Sequence, residues 1–290
     1  MQNRVDPKIT EGGQPGILVV GGVTVDTLHL SGETGTRITP GGAGLYTALA
    51  VQATGGRVRL FAQRPVPMPL LLSPYERALD WIGPEIPLER LPRLEIAHYG
   101  GGRAELVHAD WGAQPEFDPA DLPDDLSAFG IAHIAALGPT SKQIEFAIAC
   151  RAHGAAKISA GTYGRAVYGE GDAVRELIGR VDYFFMNENE AVGLFSASEA
   201  AAAAPGQVVF VTLGELGALA RIENGDIVRI PAIAVEEYDP TGAGDSFCGG
   251  VLAVLVRGGG LEEAMARGAA AASQTILGLG PERLIHNDAR

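Results

Sequence analysis

The stretch IAHIAALGPTSKQIEFAIACRAHGAAKIS, residues 131–159, contains one full unit of the pattern that decides the fold. Ile131–Leu137 is an apolar run of strand length, and Lys157–Ser159 begins another. Between them, Thr140 with Gln143 has the spacing of a capped helix start, and the helix runs to Cys150. The alternation continues downstream. Val181–Met186 is an apolar strand that leads into Asn187-Glu188-Asn189-Glu190 and a helix. Val208–Leu213 is a further strand, followed by a β-rich stretch from Ala218 to Tyr238. Helices over Gly244–Val256 and Leu261–Leu277 close the sequence, and Ala200–Ala204 reads as a helix end. Strands alternating with helices imply a doubly wound α/β fold, its mostly parallel sheet flanked by helices.

Upstream, Ile17–Val20 is a buried strand ending at Gly21-Gly22. Val23–Leu30 and Thr36–Thr39 flank Ser31–Gly35 as a hairpin with polar faces. After Pro40-Gly41-Gly42, Leu45, Ala48, Leu49 and Gln52 keep helical spacing up to Gly55-Gly56, and Val58–Ala62 is the next strand. In the proline-rich residues 64–93, the spacing predicts one helix. Ser73 is its N-cap, Pro74 occupies its first turn, Glu76 reciprocates, and it runs toward Trp81-Ile82. Leu94–Tyr99 and Ala104–Trp111 bracket Gly100-Gly101-Gly102 as a second hairpin, two-faced like a flap. The expectation is a single domain over residues 1–290 with a small β lid from residues of about 23–39 and 94–111.

The composition narrows the function. Of 290 residues, 22 are basic and 35 acidic, a formal net charge of −13, which suits neither strand of a nucleic acid. Lys8, Lys142 and Lys157 are the only lysines and none follows a glycine, so there is no GxxxxGK[ST] phosphate loop. There is also no GxGxxG, HExxH or paired CxxC. Cys150 and Cys248 lie in apolar surroundings and read as buried thiols of a reducing compartment. Met1–Gly16 is polar without a signal-peptide core, and no apolar run is long enough to span a bilayer. A cytoplasmic protein with no membrane partner is expected.

The most informative segment is Asp239-Pro240-Thr241-Gly242-Ala243-Gly244-Asp245, followed at once by Phe247, Val251, Leu252 and Leu255 on one helical face. Glycines at a helix N-terminus leave backbone N–H groups open to an anion. Asp245 is then out of place, because a carboxylate repels an anion. A base that takes a proton from an attacking hydroxyl accounts for it; a helix-start charge is the alternative.

This segment resembles the C-terminal signature of the ribokinase-like, or phosphofructokinase B, carbohydrate kinases, with Pro240 in place of a Thr. Three more segments match in the family's order: Asp26 after the first strand, Gly41-Gly42-Ala43-Gly44, and Thr212-Leu213-Gly214-Glu215-Leu216-Gly217. The resemblance implies ATP-dependent phosphorylation of a hydroxyl on a sugar or polyol. Asp245 would be the catalytic base, and the amides of Gly242, Ala243 and Gly244 the anion hole. Asp26, Gly41 and Gly42 would meet the acceptor, and Thr212, Gly214 and Gly217 the nucleotide. Asn187-x-x-Glu190 matches the family's motif for Mg²⁺ and its waters, with Asn187 toward the nucleotide; it is equally an ordinary capping pair. A monovalent cation such as K⁺ near Asp239 and Thr241, and a homodimer through the lid, are further family expectations.

The substrate half departs from the pattern. Tyr46 stands where the family has an Asn that binds sugar hydroxyls; it either lines the acceptor pocket or packs the helix. Gln63–Pro69 replaces a glycine-rich stretch, and Ile158-Ser159-Ala160-Gly161-Thr162 replaces an Asp-Pro-Asn strand end. A nucleoside kinase of the same fold and a non-catalytic metabolite-binding relative are the alternatives.

Overall fold

The computed structural model describes residues 15–101, 103–200 and 203–285. Apart from Pro15 and Gly16, the polar N-terminal segment lies outside them, as do Gly102 of the second hairpin and Ala201 and Ala202 of the alanine patch.

The chain opens with β1 (Gly16–Val20), β2 (Thr24–His29), β3 (Arg37–Gly41), α1 (Ala43–Ala53) and β4 (Val58–Phe61). Then come β5 (Arg64–Val66), α2 (Ser73–Ala78), β6 (Asp80–Ile82), β7 (Glu85–Pro87), β8 (Arg93–Gly100) and β9 (Arg103–Asp110). The alternating part has β10 (Phe129–Ile134), α3 (Thr140–Ala152), β11 (Lys157–Gly161), α4 (Gly164–Gly169), α5 (Gly171–Ile178), β12 (Tyr183–Asn187) and α6 (Glu188–Phe195). It closes with β13 (Val208–Thr212), β14 (Ala218–Ile222), β15 (Ile227–Ile230), α7 (Ala243–Leu255) and α8 (Leu261–Thr275).

Nine strands form one sheet in the order β15-β14-β13-β12-β11-β10-β1-β4-β6, parallel from β6 to β13 and antiparallel at β14 and β15. Strand β1 is interior to the sheet, between β10 and β4, and its side chains alternate between two cores. Ile17 and Val19 join a cluster with Leu45, Leu49, Val251 and Leu252 of α1 and α7; Leu18 and Val20 join one with Phe146 and Val174 of α3 and α5. Full burial of such side chains is worth roughly 1.5–3 kcal/mol each, which explains an apolar run without polar alternation. From β1 the chain order runs outward both ways, to β4 and to β10, and this reversal opens a crevice beyond the strands' carboxyl ends.

A second sheet, β3-β2-β8-β9, is built from the two expected hairpins, with β2 and β8 paired in parallel. Helix α7 is seated by close backbone contact. A Cβ on Gly249 would collide with Thr47 of α1, and one on Gly250 with Arg267 and Gly268 of α8. Under its first turn, Phe247 meets Phe185 edge-on at 6.5 Å, and Phe185 stacks on Phe210 at 4.5 Å.

Four local expectations need correction. Helix α2 has Leu72, not Ser73, at its N-cap, and ends at Ala78 because Leu79 turns extended. Glu76 pairs with Arg64 instead of reciprocating, and Trp81 belongs to edge strand β6, its Nε1 donating to the Ala62 carbonyl. The proline-rich region also holds β5 and β7, which pair with each other in a small sheet. The Thr140–Gln143 cap does not form. Pro139 is the N-cap, the Glu170 carboxylate accepts the Thr140 N–H, and Gln143 Nε2 donates to the Ala135 and Gly161 carbonyls, tying the ends of β10 and β11. Regular strand ends at Ile230, so residues 231–238 carry the chain to the Asp239 segment without sheet pairing.

Candidate active site

The Asp239–Asp245 turn sits at the N-terminus of α7. Gly242 is the N-cap, in the left-handed region at φ 76°, and the first turn has no side-chain cap. Asp245 is therefore not a capping residue. Nothing among the described residues hydrogen-bonds its carboxylate, and burial pushes it up to about 7. A Cβ on Gly244 would meet nothing within 4 Å, so that face of the turn is open to a ligand. The Gly242 and Gly244 amides have no backbone acceptor among the described residues, whereas the Ala243 N–H already donates to the Pro240 carbonyl at 3.2 Å. The structure thus presents two free amides of the three expected. Neighbouring helices steady the turn: Thr47 Oγ1 of α1 donates to the Asp245 carbonyl at 3.3 Å, and Thr275 Oγ1 of α8 lies 2.8 Å from Ser246 Oγ.

Asp26 is 1 % exposed on β2, where Thr24 Oγ1 donates to its Oδ1. Burial raises Asp26 to about 7, the Thr24 bond opposes that rise, and the Asp239 carboxylate adds to it. Its carboxylate lies over the Cα of Gly41, where any Cβ would overlap Oδ2, so glycine is required. Gly42, at φ 100°, is pressed against the Gly22 carbonyl in the same way. The Gly-Gly turn is therefore a close approach of two backbone segments, Gly21–Val23 and Gly41–Gly44, next to the carboxylate.

Tyr46 does not point away from this centre. Its ring lies against the Cα of Gly242, joining the acceptor turn to the anion turn. It is 1 % exposed, and its hydroxyl has no partner among the described residues. Burial, with Asp239, Asp26 and Asp245 nearby, holds the phenol neutral far above the usual tyrosine range.

Asn187 and Glu190 form a complete capping box at the start of α6. Asn187 Oδ1 accepts the Glu190 N–H at 2.9 Å, and Glu190 Oε2 accepts the Asn187 N–H at 2.8 Å. The Asn187 amide also donates to Glu190 Oε1 at 2.9 Å. Glu190 is 5 % exposed and rises to about 7 through burial, with the Asp245 carboxylate contributing. The Asp245 carboxylate raises Glu190 beside an open anion turn, an arrangement that suits a hydrated cation between the two, so these residues fit Mg²⁺ held through water. Among the described residues no three His, Cys, Asp or Glu side chains converge on a directly ligated metal.

Parallel register sets Thr212 beside Asn187 at the strand ends. The following turn places Gly214 at φ 59° in open space, while Gly217 at φ 97° is forced by the Ile230 carbonyl. Gly214 can face a nucleotide; Gly217 shapes the turn.

Asp239 faces inward. Its Oδ1 accepts the Thr241 N–H at 2.9 Å and its Oδ2 the Gly280 N–H at 2.8 Å. His98 of β8, which nothing in its polar strand distinguishes, also reaches here: Nε2 lies 3.0 Å from Thr241 Oγ1 and 3.6 Å from Asp239 Oδ1. Gly280, outside every motif, is a second residue that the sequence does not single out.

This geometry belongs with a known group. Residues 105–286, more than half of the chain, match the pfkB family carbohydrate kinase profile, and the chain is a member of that family. Family members transfer a phosphoryl group to a hydroxyl, and this chain is accordingly a phosphotransferase. A cytidine kinase of Thermococcus kodakarensis is 27% identical over 271 residues, 90% of this chain and 95% of that protein. Among solved structures, a probable sugar kinase of Rhizobium etli superposes with TM-score 0.77 at 22% identity, covering 92% of this chain and 94% of that one. An adenosine kinase of Sinorhizobium meliloti does so with TM-score 0.75 at 21% identity, covering 93% and 96%. The mostly parallel central sheet and its flanking helices are the ribokinase-like fold expected from the sequence. No helix among the described residues is long and apolar enough to cross a membrane.

Proposed function

We propose that this protein transfers the γ-phosphoryl group of ATP to a hydroxyl of a small sugar or polyol. The acceptor lies beside Asp26 and the Gly41-Gly42 turn, beneath the second sheet acting as a lid. Asp245 takes the hydroxyl proton as the new O–P bond forms, and the bond to the bridging oxygen breaks to leave ADP. A base whose carboxyl titrates near 7 is matched to that transfer at neutral pH. The amides of Gly242 and Gly244, with the Ala243 N–H freed by a small turn adjustment, take up charge on the phosphoryl oxygens, where most of the catalysis lies. Thr212 and Gly214 lie along the nucleotide, in a turn that Gly217 shapes. Asn187 and Glu190 hold hydrated Mg²⁺, which neutralises phosphate charge when bound.

The observation that carries this reading is the Asp245 carboxylate, unpartnered beside free amides and an open glycine face. Asp245→Asn removes the base and keeps the shape. Turnover of ATP with the true acceptor should fall by about 10²–10⁴-fold while nucleotide binding and melting persist. Near-parental turnover in that variant would refute the base. A parental protein that binds ATP and acceptor yet transfers nothing would be the non-catalytic relative.

A nucleoside acceptor is the second reading, favoured by the cytidine kinase similarity along nearly the whole chain. A panel of ribose, fructose, inositol and nucleosides separates the two. Ile38, Tyr99 and Val107 on the second sheet are exposed apolar side chains, which supports pairing of two copies through the lid. Sedimentation of the parental protein and an Ile38→Lys variant tests that pairing.

A further inference from the structure

The family resemblance reserves the neighbourhood of Asp239 and Thr241 for a monovalent cation, but the side-chain oxygens there already face donors. Both Asp239 oxygens accept backbone N–H groups, from Thr241 and Gly280, and the Thr241 hydroxyl is bonded to His98. His98 is 6 % exposed, and its Nδ1 has no partner among the described residues. With the acceptor-only Asp239 carboxylate beside Nε2, the proton belongs on Nε2, and Nδ1 keeps a buried lone pair.

His98 is carried on β8, next to β2, which carries Asp26, and both strands belong to the same small sheet. One element therefore touches the acceptor side through Asp26 and the anion turn through Thr241. We propose that His98 is a positioning residue that sets the Gly242–Gly244 turn from the lid, in the place that a bound monovalent cation would otherwise take. Turnover is then independent of K⁺. This rests on the kinase reading above. His98 touches no reacting atom; it acts through Thr241 and Asp239.

Its loss should therefore appear in kcat and leave acceptor KM in place. His98→Ala should lower kcat about tenfold, with KM for the acceptor within twofold of parental. His98→Gln, whose amide N–H can occupy the Nε2 position, should recover most of that loss. Thr241→Val should cost little more when added to His98→Ala, because both remove the same contact. Parental turnover should agree within twofold in KCl and in tetramethylammonium chloride, and the melting temperature of the ligand-free protein should be the same in the two salts. A K⁺-dependent turnover, a rise in parental melting temperature with K⁺, or a parental kcat in His98→Ala would each overturn the proposal. If the protein phosphorylates nothing on the panel, the kinase reading fails by itself. The melting comparison still decides the cation question, since it needs no turnover.

Discussion

Two glycines in one turn should respond in opposite ways to the same added methyl group. At Gly242, φ is 76°, and a Cβ would come within 3.0 Å of Tyr46 Cγ, Cδ1 and Cε1. A left-handed conformation costs a residue with a side chain roughly 1–2 kcal/mol, and overpacking a filled core roughly 1–3. The ring is fully buried and cannot swing away. Gly242→Ala should therefore destabilise by about 2–5 kcal/mol, a fall of roughly 5–15 °C in melting temperature for a chain of this size. At Gly244 the backbone is helical and a Cβ would meet nothing within 4 Å. Gly244→Ala should hold the melting temperature or raise it slightly, since alanine gains roughly 0.5–1 kcal/mol over glycine in a helix. Its methyl would instead occupy the face on which the phosphoryl group arrives. A displacement of about 1 Å costs on the order of 10²-fold, so turnover should drop by that factor in a stable protein. Scanning fluorimetry and a coupled ADP-release assay read the two effects separately. Parental turnover in Gly244→Ala would put the phosphoryl group elsewhere, and a parental melting temperature in Gly242→Ala would mean that Tyr46 does not abut the turn.

The remaining predictions concern acidity and the acceptor pocket. Asp26, Glu190 and Asp245 each titrate near 7 in the fold, against ordinary values of 3.8, 4.5 and 3.8. Between about pH 5 and 7 the native state therefore binds more protons than the unfolded chain, and ligand-free stability should fall as pH rises through that window; a rising melting temperature there would contradict the burial of these groups. Activity should move oppositely, with kcat/KM climbing through pH 7 as Asp245 loses its proton, and a flat profile would argue against it as base. Tyr46→Phe removes a hydroxyl that has no partner, so melting should hold or improve while the ranking of acceptors on the panel changes; an unchanged ranking would make Tyr46 a packing residue alone. Because Tyr46 is buried against Gly242, where the resemblance expects a sugar-binding Asn, ribose should be a poor acceptor, and efficient turnover of ribose would defeat that expectation.

The fold was legible wherever burial alone set the pattern. β1 is covered on both faces, so its four core residues form an unbroken apolar run, and the strand–helix alternation after residue 131 follows from the same two-sided burial. The signature from Asp239 to Asp245 was legible because close backbone approach to a ligand requires glycine. Pairings across long distances left no local trace. Thr140 and Gln143 have capping spacing, but Glu170, thirty residues on, supplies the cap, and Gln143 is drawn to two strand ends. Trp81 follows a helical start but comes three residues after α2 has ended, and its strand pairing with Leu60 is visible only in three dimensions. His98 sits in a strand with polar residues on both faces, and its partner is 143 positions away.

The glycine contacts of α7 have a consequence for how this protein can change. Gly249 and Gly250 let the helix touch α1 and α8 backbone to backbone, so even one methyl group on either face collides with main-chain atoms. The helix that presents Asp245 has no slack to tilt, slide or rotate. Variation, natural or engineered, is confined to what surrounds it: the second sheet, the residues around Gln63 and the end of β11. Attempts to redirect the enzyme to a new acceptor belong at those sites, and libraries that include Gly242, Gly249 and Gly250 will chiefly return proteins that do not fold.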